Sequence, residues 1–472
     1  MSHEIKADRT QTFLLPPSLD DWIPHDHPAR FIAEFVEALD LPSLGFPVGH
    51  SPTGRPSFSS ELLLSVVCYC YYSRIRSMRG MEQACLENVA LMWLTGNQHP
   101  DHNTIWKFFS TNRKSIRGLL KKSARVAADS GLVGMVLHAV DGTKIQAQAS
   151  MKTGLYRKPL ESALKRIDTS IAEMEASIDA SRESGLSNYR LPKELSDKKS
   201  RREAIVRSLA RLEESEADKL HPVEPDARIM LCEKKKVFGY NAQAVVDDKL
   251  GIIVAEDVVT QENDHGLLAK MIDRVEETMG SVGETTLADK GYSAEEDLAE
   301  AKEKGRNVLV NLTKTVDPKG DSKPFHASRF EYDVEENCCI CPLGKKLNFQ
   351  RFKKDKNGEK TIAVYHCTSY KECPDRWTCS KNKRGRTVEL SKHRAAVAEQ
   401  RQKQKDPEAK ELMARRAVIA EPPFAFAKAH SAFRRWTLRT YDGVRAQWSL
   451  ICITHNLRKL HKKWVNGEVV FG

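Results

Sequence analysis

The sequence predicts a mixed α/β protein: a sheet covered by helices, preceded by an all-helical region and interrupted by two inserts. Three observations carry this. Up to about residue 127 the apolar residues recur at helical spacing. From Gly134 onward, short apolar or alternating runs are interleaved with amphipathic helices, as in a mixed sheet with helices packed on it. A charged helical stretch and a cysteine-rich stretch then break that alternation. The 472 residues exceed one ordinary core and suit two to four modules.

The elements follow in chain order. Phe31, Phe35, Ala38 and Leu39 mark a first helix. Gly54-Arg55-Pro56 is a turn. Leu62 to Cys70, with Tyr71 and Tyr72, is a buried helix, and Gly96-Asn97 breaks the helix that ends at Leu91 to Leu94. Asp101 or Asn103 is placed to cap a helix carrying Ile105, Trp106, Phe108 and Phe109. Met135 to Ala139 is then a strand that delivers Asp141 to a turn at Gly142-Thr143, and Ile145, Ala147 and Ala149 alternate as a paired second strand. Between Pro159 and Asp218, apolar residues step by three and four (Leu164, Ile167, Ile171, Met174, Ile178; then Ile205, Leu209, Leu212), which predicts a helical hairpin broken at Gly185 to Pro192. Strands return at Val237 to Val246 and Gly251 to Val259. Leu267 to Met279 is an amphipathic helix. Thr286 to Asp289 ends a strand, Ser293 is placed to cap the helix Ala294 to Lys304, and Val308 to Leu312 is another strand. Glu335 to Ser380 reads as cysteine-rich and strand-poor, Glu389 to Ile419 as basic helix, and Gln447 to Lys463 as a last apolar helix. No internal repeat is present.

Charge narrows the function. Lys and Arg number 75 against 64 Asp and Glu, a net +11. Ser380 to Gly472 holds 21 basic and 8 acidic residues, so this last fifth carries more than the whole excess and the rest is nearly neutral. That asymmetry fits a polyanion partner such as nucleic acid, or a solvated basic surface. No run approaches the roughly 18 apolar residues of a membrane span, and Met1 to Thr12 is polar, so a cytoplasmic location is expected. An odd count of eleven cysteines argues for thiols or metal ligands rather than a disulfide framework.

Asp141 and Asp289 share a pattern. Each follows an apolar strand and precedes a glycine within two residues. Alone, either fits ordinary turn chemistry. Together on one sheet they can hold a divalent cation, because Mg²⁺ prefers carboxylate oxygens. Glu421 is the only acid between Glu411 and Asp442, in an otherwise apolar or basic stretch. Pro422-Pro423 fit only a helix's first turn, which would put Glu421 at or just before a helix start. Cys338, Cys339, Cys341, Cys367, Cys373 and Cys379 cluster within 42 residues. Cys341, Cys367, Cys373 and Cys379 can form a tetrahedral Cys₄ zinc site, with Cys339 as the substitute for Cys341; reduced thiols in a loop are the other reading. The remaining cysteines, His455 with Asn456, and Trp436, Trp448 and Trp464 fit core packing.

The motifs Val140-Asp141-Gly142-Thr143, Ala288-Asp289-Lys290-Gly291-Tyr292, and Arg416 followed by Glu421 and Lys428 resemble the DDE transposases of bacterial insertion sequences. Gly54-Arg55-Pro56-Ser57-Phe58, Ser77-Met78-Arg79-Gly80-Met81-Glu82, Asp101-His102-Asn103-Thr104-Ile105, Asn241-Ala242-Gln243 and Thr454-His455-Asn456-Leu457 extend the resemblance along nearly the whole chain. It implies a ribonuclease-H-like catalytic domain at 134–316 and 387–472, a DNA-binding helical domain at 1–127, a helical hairpin insert at 157–218 and a Cys-rich insert at 317–386. It also implies Asp141, Asp289 and Glu421 as the acids holding two Mg²⁺, Lys428 and Arg416 on DNA phosphates, and a homodimer on double-stranded DNA at terminal inverted repeats and target. The expected activity is DNA strand cleavage and transfer. A metal-dependent nuclease of the same fold and a catalytically dead, zinc-containing DNA-binding protein are the alternatives.

Overall fold

A computed structural model describes residues 18–47, 57–183, 193–215, 218–312, 324–355, 357–358, 361–430 and 432–471. The Gly54-Arg55-Pro56 turn, the break at Gly185 to Pro192 and the start of the Cys-rich insert at Asp317 lie outside them.

Six helices come first: α1 (Pro28–Glu37), α2 (Ser60–Tyr72), α3 (Met78–Glu87), α4 (Val89–Leu94), α5 (His102–Thr111) and α6 (Arg113–Asp129). Short polar residues set their starts by accepting otherwise unpaired first-turn amides. Ser59 accepts from Leu62 N at 3.1 Å, Ser77 from Gly80 N at 3.0 Å, and Asp101 from Thr104 N at 2.6 Å, so Asp101 and not Asn103 is the cap.

The long strand β1 (Leu137–Gln146) follows. A two-stranded neck, β2 (Leu155–Tyr156) paired with β3 (Lys219–Leu220), carries the antiparallel helices α7 (Arg157–Glu183) and α8 (Lys193–Glu214). Then come β4 (Arg228–Cys232), β5 (Lys235–Asp247), β6 (Ile253–Val259), α9 (Leu268–Met279), β7 (Thr285–Ala288), α10 (Glu295–Glu303) and β8 (Val308–Val310). β5 is the hub. It pairs antiparallel with β1 on one side, and with β4 and β6 on the other. β1 pairs parallel with β7, and β7 parallel with β8. Ala294 rather than Ser293 is the N-cap residue of α10, because the Ser293 hydroxyl donates to Lys290 O at 2.8 Å.

Residues 331–391 are not strand-poor. They form a five-stranded antiparallel sheet of β9 (Glu331–Asp333), β10 (Cys338–Ile340), β11 (Lys346–Lys354), β12 (Thr361–Cys367) and β13 (Thr387–Ser391), with the short helix α11 (Arg376–Cys379) between the last two. Many Lys and Arg obscure its alternation, but Phe330, Cys339, Leu347, Ala363, Tyr365, Cys367 and Val388 build a small core of its own. Glu389 therefore lies in a strand. The predicted basic helix is two helices, α12 (Arg394–Lys403) and α13 (Pro407–Ala425), with Asp406 capping the second and Pro407 at its first position. A π-helical turn over Phe426–His430 and α14 (Tyr441–Val465) complete the chain.

The N-terminal helices and the sheet share one continuous core running from Ile23 to Val469. α14 joins them. Its residues from Gly443 through Leu457 are buried except Arg445. Asn456 accepts from Ile253 N at 2.8 Å and donates to Ile253 O at 2.9 Å, satisfying the free edge of β6 as a neighbouring strand would. His455 bonds Gly251 O at 2.9 Å, and Trp448 donates to Gln243 O at 2.9 Å, so these residues pack and brace. Among the described residues no helix is long and apolar enough to cross a membrane.

Candidate active site

The register of two parallel strands brings the two aspartates together. Val140 pairs with Ala288, the last residue of β7, so Asp141 and Asp289 come next in line where the strands part. β7 ends there, and the Asp289 carboxylate accepts from Gly291 N at 2.7 Å, capping the short turn Lys290–Tyr292. β1 does not end. It runs through Asp141 and Gly142 to Gln146, paired with β5 from His138 opposite Asp247 to Gln146 opposite Gly239. The expected turn at Gly142 is thus a mid-strand position, and β5 takes the place of the second strand expected at Ile145 to Ala149. Gly142 serves close approach: a Cβ there would lie 2.2 Å from Gln243 Nε2.

Asp141 is partly buried, and desolvation raises its pKa above the usual carboxylate value. The Gly142 N–H at 2.8 Å and the Arg416 guanidinium at 3.2 Å oppose that rise, and the negative charge of Asp289 adds to it. Such a carboxylate calls for a positive partner.

A set of polar side chains to which the sequence reading assigned no role lies behind this pair. Tyr292, fully buried, donates its hydroxyl to Gln243 Oε1. Gln243 Nε2 donates to Asn241 Oδ1 at 3.0 Å and to Asp264 Oδ1 at 2.9 Å, and Asn241 Nδ2 reaches the same Asp264 oxygen at 2.7 Å. Lys144 stands 3.6 Å from Asp264 Oδ2. Burial, then the charges of Asp264, Asp141 and Asp289, push the Tyr292 hydroxyl far above its ordinary pKa. Asp264 lies in the irregular stretch between β6 and α9, where no periodicity singles it out. The motif Asn241-Ala242-Gln243 was its one sequence signal.

α13 packs across β1, β5, β7 and β8 and supplies the remaining candidates. Arg416 engages Asp141 rather than standing free for a phosphate. Glu421 is exposed, five residues further along the same helix. Pro422 and Pro423 are in the interior of α13 near its end, not in a first turn. Each removes one helical donor; at Pro422 the cost is limited because Val418, Glu421 and Pro422 face solvent, whereas Pro423 and Ile419 are buried, and the helix widens into the π-turn directly afterwards. Lys428, half-buried in that turn, acts with Lys144 on the Cys232 thiol, so the two ammonium groups approach one region. Asp141, Asp289 and Glu421 do not have their oxygens within 4.8 Å of one another. Among the described residues the one such trio of ligand atoms is Asp333, Glu336 and Cys338, where Glu336 is already paired with Lys346.

Burial raises the Cys379 thiol pKa, and Cys341, Cys367 and Cys373 lie near enough to add to the rise. No three of these four sulfurs lie within 4.8 Å of one another, so the predicted Cys₄ set is not drawn together as a tetrahedral site. The Cys341 sulfur accepts from Lys345 N at 3.3 Å in a turn closed by Gly344 at φ +74°. Cys338 lies beside Asp333 and Glu336, and Cys339 shares the small core with Cys367. Cys339 is buried in the small core, where burial raises its thiol pKa to about 12.

Two family models match the chain. One, described as a transposase DDE domain, covers residues 340–461. The other, a transposase domain (DUF772), covers residues 17–111. No curated protein and no solved structure matches. The first match takes in most of the cysteine-rich sheet and the helices carrying Arg416, Glu421 and Lys428, and the second takes in α1 to α5. Matched at both ends around a sheet whose parallel register puts Asp141 and Asp289 next in line, the chain is similar to transposases, and the two matches together indicate an insertion-sequence DDE transposase.

Proposed function

We propose that this transposase cleaves DNA at the ends of its insertion sequence and transfers the freed strand to a target, using Asp141, Asp289 and Glu421. The observation that carries the reading is the parallel register of Val140 with Ala288, which puts Asp141 and Asp289 next in line where the two strands part. The strand order supports a ribonuclease-H-like domain: three antiparallel strands, β6-β5-β1, continue into the parallel β7 and β8. The donor set also suits Mg²⁺. Asp141 and Asp289 offer hard carboxylate oxygens, and Arg416 supplies the positive charge that Asp141 calls for. Bound there, two divalent ions would supply activation of the attacking hydroxyl and stabilisation of the leaving oxygen.

The chain's own residues do the rest. Gly142 N–H and Gly291 N–H fix the orientation of the two carboxylates. Arg416, released from Asp141, and Lys428 bind phosphate oxygens. Glu421 approaches the pair from α13, whose last turns close over bound DNA. The basic C-terminal fifth steers duplex DNA toward this face, and a dimer holds the two ends together. Asp141→Ala, Asp289→Ala and Glu421→Ala should each reduce strand cleavage at least about 10³-fold while end binding in a gel-shift assay persists. Normal cleavage by a folded variant removes that residue from the set. Cleavage without joining by the unaltered protein would make it a nuclease, and binding without cleavage a dead copy.

On this reading Cys341, Cys367, Cys373 and Cys379 form a structural zinc site, their sulfurs drawing together around the ion. The antiparallel sheet has its own small core, so zinc would lock the α11 segment rather than hold up the whole insert. Purified protein should contain one zinc per chain, and Cys379→Ser should lose it. Absence of zinc in elemental analysis refutes the site.

A further inference from the structure

The environment of Asp264 is more constrained than a surface loop requires. Both of its oxygens are engaged: Oδ1 by the amides of Asn241 and Gln243, Oδ2 by the ammonium of Lys144. Only an ionised carboxylate can accept on both sides at once, because an amide in its place would turn a donor toward one of these partners. The carboxylate also occupies the space beside the two glycines that follow the aspartates. A Cβ at Gly142 would lie 3.1 Å from Asp264 Oδ1. One at Gly291 would lie 3.3 Å from Asp264 Oδ2 and 2.9 Å from Asp289 Oδ1. Gln243, which holds Asp264, sits opposite Gly142 in the β1–β5 register and takes the Tyr292 hydroxyl from the Asp289 turn. A single hydrogen-bonded set therefore ties the backbone after Asp141 to the backbone after Asp289.

We propose that Asp264 is a positioning residue of the acidic site: clamped by Asn241, Gln243 and Lys144, it fixes the separation of Asp141 and Asp289. The inference rests on the reading of those two aspartates as the cation-holding pair. Asp264 acts through their spacing, and its own oxygens remain on their protein donors. Supporting groups of this kind commonly govern metal affinity as strongly as 10- to 100-fold.

The test is Mn²⁺ binding to the full-length chain without DNA, read from the electron paramagnetic resonance signal of the free ion. Mn²⁺ shares the oxygen preference of Mg²⁺. Asp264→Asn should raise the half-saturating Mn²⁺ concentration about 10-fold with the melting temperature nearly unchanged. A role in folding alone would lower the melting temperature and leave the affinity of the folded protein as it was, which would overturn the proposal. The double variant Asp264→Asn with Lys144→Gln gives the new amide a neutral partner and restores the clamp without the charge. Recovery of wild-type affinity is expected, and failure to recover would make Asp264 a ligand instead and refute positioning. The underlying reading fails separately. If the unaltered chain binds no Mn²⁺, or if Asp141→Asn binds it as well as the unaltered chain, the aspartate pair is not the cation site and the proposal falls with it. If Asp141→Asn abolishes binding while Asp264→Asn changes nothing, the proposal alone is wrong.

Discussion

Asp141 illustrates how one residue's chemistry is decided by its neighbours. It is a mid-strand carboxylate, raised in pKa by burial and by Asp289, and held by one backbone amide and one guanidinium. Its position depends on the absence of a side chain next to it. Gly142→Ala would set a methyl group 2.2 Å from the Gln243 amide nitrogen, and the amide could yield only by leaving Asn241 and Asp264. Overpacking a fixed network of this kind should destabilise the chain by about 2 kcal/mol. Urea denaturation measures that. A stability within experimental error of wild type would mean that the Gln243 amide moves freely and that the network is not fixed.

At the scale of elements, α14 and β6 meet across a buried acid. Glu256 on β6 receives the Ser449 hydroxyl of α14 at 2.7 Å, and burial, followed by the neighbouring Asp257 charge, raises its pKa to about 7. The raised value means that the folded chain holds this proton more tightly than the unfolded chain does. Stability is therefore highest below the unfolded carboxyl value. It falls as pH rises through that value toward 7 and is constant above it, a loss on the order of 3 kcal/mol. Glu256→Gln keeps an acceptor for Ser449 and carries no charge. The variant should match wild type near pH 4.5 and exceed it at pH 8. Parallel denaturation curves at the two pH values check this, and equal differences at both would show that Glu256 does not titrate in this range.

The helical hairpin is the opposite case, an element with little dependence on the rest. Its buried residues Ile171, Leu195, Ile205 and Leu212 face one another and belong to neither of the two hydrophobic clusters. It joins the sheet through the β2–β3 neck, where Arg157 pairs with Asp218 at 3.1 Å. Replacing residues 158–217 by a short Gly/Ser loop should leave the melting temperature of the remainder within a few degrees, because loop closure across the intact neck costs little. Differential scanning calorimetry decides it, with loss of the main transition as the contrary result.

The whole molecule is joined through its last helix. Phe31 of α1 packs on Trp464 of α14 with ring centroids 5.8 Å apart, and Tyr72 of α2 bonds His461 at 3.0 Å. The N-terminal helices, read from sequence as a separate module, share their core with the sheet through these contacts. Arginines there also serve the fold: Arg30 donates to the carbonyls of Ile23 and Asp20, and Arg76 lies over the Phe433 ring.

Legible in the sequence were the alternation of strands and helices, the cap at Asp101, and the shared pattern of Asp141 and Asp289. Each is written in local terms: a period, a cap, or a strand followed by glycine. Where the signal depended on partners far along the chain, local reading failed. Gly142 looked like a turn because only the β5 strand, about a hundred residues later, shows that Gln243 needs the space. The cysteine-rich region looked strand-poor because its lysines and arginines mask an alternation that antiparallel pairing makes evident. Pro422-Pro423 looked like a helix start because a helix that tolerates prolines where it widens has no local signature. Asp264 was invisible for the same reason. Its loop has no period, and its importance arises only when β1, β5 and the Asp289 turn fold around it and leave one carboxylate to satisfy three donors.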